Sequence, residues 1–67
     1  MTREKWWEGV KAQYPWHAEA PTSIKPHLVN DCGQHASVCL RAGWRQWGFE
    51  TEADRDKFVL QYKGTAS

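Results

Sequence analysis

Long apolar runs are missing from this 67-residue chain. A bilayer-spanning helix needs about 20 consecutive apolar residues, so no transmembrane segment is expected. The opening MTREKWW is charged at once and has no apolar stretch, which argues against a secretory leader. Cysteine is scarce: Cys32 and Cys39 are the only two. Two thiols without a leader point to a reducing, cytoplasmic setting rather than a disulfide framework. A charge excess is missing too, since nine Lys and Arg face eight Asp and Glu for a net charge of +1. That excludes an acidic nucleic-acid mimic, and also a general nucleic-acid binder whose affinity comes from neutralising phosphates. No Gly-rich phosphate loop, nucleophile elbow or H-E-x-x-H motif occurs, and no internal repeat.

What the chain does have is aromatic residues: five Trp, two Tyr and two Phe. A domain of this length buries only about 60% of the surface its unfolded chain exposes. Dense aromatic packing is one way to hold it together, and a metal or self-association are others. One domain spanning residues 1–67 is expected.

Hydrophobic spacing gives a first set of elements. Trp7, Val10 and Tyr14 lie at i, i+3 and i+7 behind Thr2, a cap residue, so a helix is predicted over 3–13, closed by Pro15. Residues 15–23, with two prolines and small polar residues, read as a loop. Ile24, Leu28 and Cys32 recur every four residues behind Ser23, predicting a short helix over 24–31 that ends at Gly33. Ala36, Val38 and Leu40, then Trp47 and Phe49, alternate about the Gly-containing break at Ala42-Gly43, the pattern of a β-hairpin over 36–50. Thr51, the acidic residues behind it and the pair Phe58 and Tyr62 predict a helix over 52–62, followed by a tail from 64 to 67. Phe58, Leu60 and Tyr62 also alternate, which leaves an extended ending open. The predicted fold is α+β in the order α-α-β-β-α, with a two-stranded antiparallel hairpin packed against helices.

Three constellations bear on chemistry. His27, Cys32, His35 and Cys39 supply the ligand types of a tetrahedral zinc site, with His17 nearby. The spacing has no C-x2-C knuckle, and Cys39 sits between Val38 and Leu40. Buried apolar thiols are therefore the preferred reading, with no cofactor, and a zinc-stapled interaction domain is the alternative. A Cys–His nucleophile, Cys32 or Cys39 with His35, would need an orienting group and a pocket, so no catalytic residue is assigned and the chain reads as non-enzymatic. The run Glu50, Glu52, Asp54 and Asp56 has helical spacing and fits the positive end of a helix dipole, not a calcium loop.

LRAGWRQWGF, residues 40–49, concentrates the residue types most enriched at binding hot spots. Alternation sends Trp47 and Phe49 to one face with Arg45, and Trp44 to the other with Gln46. Arg41, Trp44 and Arg45 are the predicted contact residues, with Trp16 and His17 as a second patch.

Residues 49–62, FETEADRDKFVLQY, resemble the C-terminal part of small bacteriophage and prophage accessory proteins. These end in a strand carrying F-x-x-E-x-D, then a helix closing on F-x-L-x-aromatic. EKWWEGV near the N-terminus is compatible with that style, whereas residues 15–35 depart from it. The resemblance covers 14 residues and transfers no catalytic residue. It implies a bacterial host cytoplasm and a partner that is a host protein, such as a polymerase, a nuclease or a defence complex, whose action is modulated or inhibited. The alternative is a small nucleic-acid binder using the same Arg and Trp residues. No membrane partner is expected, and a homodimer is a further reading, since five Trp on a short chain favour hiding a patch.

Overall fold

A computed structural model describes residues 2–66. Helix α1 spans Arg3–Val10, strand β1 Trp16–Pro21, β2 His35–Arg41, β3 Trp44–Phe49, helix α2 Glu52–Tyr62 and strand β4 Thr65–Ala66. The strands form one antiparallel sheet in the order β2-β3-β1-β4. The order of elements is thus α-β-β-β-α-β, which corrects the expected α-α-β-β-α arrangement and its two-stranded hairpin.

The correction has two physical sources. Residues 15–23 are not a loop, because Trp16–Pro21 forms an interior strand that pairs Trp16 with Phe49 and Pro21 with Trp44. Ala18 and Ala20 are fully buried and alternate with half-buried His17 and Glu19. Pro21 is tolerated because β4 pairs only with Ala18 and Glu19, so at Pro21 no neighbour needs its missing N–H. The tail expected at 64–67 supplies that last strand through Thr65 and Ala66.

The helix expected over 24–31 is reduced to one 3-10 turn at Pro26–Leu28. Pro26 forces Lys25 into extended geometry (φ −87°, ψ 137°), so a helix cannot start at Ile24. Val29 leaves the helical region (φ −96°, ψ 87°) before a second turn forms. Leu28 is exposed, whereas Val29 and Cys32 are buried, so the spacing of four marks no shared face.

The remaining elements follow their local signals. The Thr2 hydroxyl accepts from the Lys5 N–H (3.2 Å) and caps α1. The regular helix stops at Val10, and residues 11–13 are a turn rather than the predicted continuation, with the Gln13 N–H donating to the Val10 carbonyl. Thr51 caps α2 in the same way through the Asp54 N–H (3.1 Å), and Phe58–Tyr62 stays helical to the end. At the β2–β3 turn only Gly43 has positive φ (83°), which a side chain would resist. A register shift between Val38 and Arg41 absorbs the turn's geometry.

The helices lie on opposite faces of the sheet. Across strand pairs, side chains opposite one another share a face. One face carries Ala18, Ala20, Trp47, Phe49, His35, Ser37 and Arg45, and α2 covers it through Phe58. Phe58 sits 4.6 Å from Trp47 and 5.1 Å from Phe49, centroid to centroid. Val29 and Cys32 close the same core. The other face is approached by α1, where Trp7 packs against His17 (5.8 Å) and Gly48 leaves room for Trp7 and Tyr14.

At the end of α2 the left-handed position belongs to Lys63 (φ 56°) rather than to Gly64. Gly64 is needed for contact: a Cβ there would lie 2.9 Å from the Glu19 carbonyl oxygen. A left-handed L-residue costs about 1–2 kcal/mol, part of which glycine gives back through its freer unfolded chain. Lys63→Gly is therefore expected to stabilise the protein by about 0.5–1 kcal/mol in urea titration. A lower midpoint in the variant would show that Lys63 makes contacts outweighing its backbone strain.

Candidate functional site

The tip of the β2–β3 hairpin brings two of the predicted contact residues together. Arg41 and Trp44 are cross-strand partners flanking the turn. The Arg41 guanidinium lies over the Trp44 ring, 5.7 Å from its centroid, and Trp44 keeps 39% of its surface exposed. Arg41 also donates to the Glu19 carboxylate (2.7 Å), which fixes the guanidinium in place. Pro21 stands opposite Trp44, and Gln46 opposite Glu19. The result is a surface across three strands with a part-exposed aromatic ring under a cation. Cation–π pairs of this exposed kind contribute about 0.5–1 kcal/mol.

The other predicted contact residues lie elsewhere. Arg45 is on the opposite face with Trp47 and Phe49, half-buried, with one long contact (3.5 Å) to the Ser37 hydroxyl. Trp16 and His17, adjacent in β1, point to different faces and form no single patch. Trp16 lies under the Arg55 guanidinium (5.5 Å) on the α2 side. His17 is packed beneath Trp7, and its Nε2 is buried. Sequence reading passed over Glu19 and Pro21, although the alternation of WHAEAP was the available signal.

The four candidate zinc ligands do not converge. Among the described residues no three His, Cys, Asp or Glu side chains are grouped to hold a metal ion. His27 is exposed on the 3-10 turn. The His35 ring meets the Val29 carbonyl through Nε2 (2.7 Å) and packs on Trp47 (5.3 Å). Cys39 lies at the register shift and turns its Sγ to the Arg41 and Trp44 carbonyls (3.3 and 3.4 Å). Cys32 is fully buried in the α2-side core.

Burial, reinforced by the negative charge of Asp31, pushes the Cys32 thiol up to about 11. At neutral pH it is a neutral, unreactive thiol. Its Sγ faces Asp31 (3.7 Å), and the Tyr62 hydroxyl reaches the same carboxylate and the Leu28 carbonyl (both 3.4 Å). This cluster pins the irregular segment to the end of α2. Burial, then Asp31, also raises Tyr62, while a hydrogen bond from Gln61 leads the effects that hold the Asp31 carboxyl below its ordinary value.

The thiol shift has a stability consequence. Between about pH 9 and 11 the unfolded chain gives up the Cys32 proton and the native protein keeps it, so rising pH favours unfolding. The contribution is whole below pH 9 and is lost by pH 11, with a size of about 2–3 kcal/mol. The stability difference between wild type and Cys32→Ala, from urea titrations at pH 8 and pH 11, is expected to shrink by that amount. A constant difference would mean that the thiol is not buried in this way.

Among the described residues no helix is long and apolar enough to cross a membrane. Comparison with protein-family models, with curated proteins and with solved structures gives no match, so the roles of these surfaces follow from their own side chains.

Proposed function

We propose that the protein is a non-enzymatic protein-binding module whose contact surface is centred on Trp44 and Arg41. The observation that carries this reading is the part-exposed Trp44 ring beneath the Arg41 guanidinium, which is itself paired with Glu19. A pre-set ring loses little freedom when a partner covers it, and Trp and Arg anchors dominate binding energy in protein interfaces. Arg45 lies outside this surface, and Trp16 and His17 do not extend it. The resemblance of residues 49–62 to bacteriophage accessory proteins makes a bacterial host protein the class of partner, with occlusion of a host surface as the mode of action. A nucleic-acid partner is disfavoured because the Glu19 carboxylate already occupies Arg41 at 2.7 Å.

The test is affinity capture from bacterial lysate with wild type and with a Trp44→Ala, Arg41→Ala double variant, both shown to be folded by circular dichroism. A host protein retained by wild type and released by the variant is the expected result. Equal retention by both would remove the tip from the interface. Capture of nucleic acid alone, lost on raising salt, would favour the other partner class.

A further inference from the structure

The face covered by α2 holds a charge that the core does not account for. Arg45 occupies a β3 position between Trp44 and Gln46, opposite the fully buried Ala20 and on the same face as Trp47. It is half-buried, and its Nε is wholly buried with no acceptor. Its guanidinium makes one contact, 3.5 Å from NH1 to the Ser37 Oγ, which is at the outer limit of a hydrogen bond.

Among the described residues, Arg41 is paired with Glu19 and Arg55 with Asp56, while Arg45 has no carboxylate partner. Arg3, exposed on α1, bonds a backbone carbonyl instead. The acidic residues sit on α1, on the opposite face at Glu19, at Asp31, at Glu50, and at Glu52, Asp54 and Asp56 in the N-terminal half of α2, where Asp56 already pairs with Arg55. A half-buried guanidinium is costly to hold without a counter-charge, and its planar fork matches a two-oxygen anion.

We infer that Arg45 and Ser37 form an oxyanion-recognition site on the α2 side of the sheet, taking a carboxylate or phosphate group between the guanidinium fork and the serine hydroxyl. The site lies on the opposite face from Trp44 and is independent of the surface proposed above. The arginine supplies two N–H donors and the charge, and the hydroxyl supplies a third donor.

Wild type at neutral pH is titrated with inorganic phosphate in one arm and N-acetylglutamate in the other, against sodium chloride at matched ionic strength. The nitrogen-15 resonances of the arginine side chains are followed by NMR. The Arg45 Nε–Hε signal is expected to move and saturate, with Arg41 and Arg55 shifting less. The arm that saturates at lower concentration identifies the source of the oxyanion. A bound anion also raises the thermal midpoint by mass action. That rise is expected in wild type, smaller in Ser37→Ala and absent in Arg45→Met. If neither probe moves Arg45 beyond the chloride control, or if Arg45→Met shows the wild-type midpoint rise, there is no such site. The NMR titration uses wild type alone, so it decides the matter even if the Arg45 variant does not fold.

Discussion

Phe58→Ala is expected to cost about 3–5 kcal/mol, the range for truncating a buried phenylalanine. A chain of 67 residues has a total stability of about 3–10 kcal/mol, so the variant should be largely unfolded or close to it at 25 °C. Phe58 is fully buried and is the residue through which α2 meets Trp47 and Phe49, with ring centroids 4.6 and 5.1 Å away, while Tyr62 one turn further along α2 packs on it at 5.2 Å. Ala18 and Ala20, in the same buried cluster, carry only methyl groups and offer little to refill the gap. Leu60, two residues along α2, is 86% exposed, and Leu60→Ala should change stability by less than about 0.5 kcal/mol. The contrast tests the helical ending directly. In an extended ending Phe58 and Leu60 would share a face and both truncations would be felt. Urea titration followed by near-ultraviolet circular dichroism measures the two variants. Comparable losses in both would contradict the placement of α2.

The elements with strong local signals were legible in the sequence, and those made by distant pairing were not. Thr2 and Thr51 cap their helices with their own hydroxyls, and alternation about Ala42-Gly43 marks β2 and β3 to within a residue. Trp47 and Phe49 separate from Trp44 by alternation alone, and burial agrees. β1 was hidden because its core positions are Ala18 and Ala20, which carry little strand preference, and its ends lie at prolines. Alanine is there because α2 packs Phe58 close against the sheet, a fact of the tertiary structure with no local trace. β4 has two residues and exists only through its pairing to Ala18 and Glu19. The false helix at 24–31 came from reading period four across Pro26, which restricts the residue before it. At the candidate site, Arg41 and Trp44 were legible as hairpin neighbours. Glu19, which holds Arg41, is 22 positions away and became visible only when β1 joined the sheet.

Gly48→Ala is expected to destabilise the protein by about 2–3 kcal/mol, the upper part of the range for forcing an extra methyl into a filled space. No backbone strain is involved, since Gly48 is not among the glycines with positive φ. The cost comes from what stands over it. A Cβ there would lie 2.8 Å from the Tyr14 Cβ, 3.0 Å from the Tyr14 carbonyl oxygen and 3.3 Å from the edge of the Trp7 ring. Two of these are tied to the backbone following α1, so a side-chain rotation cannot relieve them. The segment must lift from the sheet, taking Trp7 with it and wetting His17. A red-shifted tryptophan emission and faster amide exchange in residues 3–14 should accompany the lower urea midpoint. The Trp44 tip lies four residues away along β3, with Arg41 and Pro21 as its cross-strand neighbours. Partner capture by Gly48→Ala should therefore persist at temperatures below its midpoint. If capture fails while the protein remains folded, α1 belongs to the binding surface, and the exposed Trp6 on that helix becomes the next residue to replace.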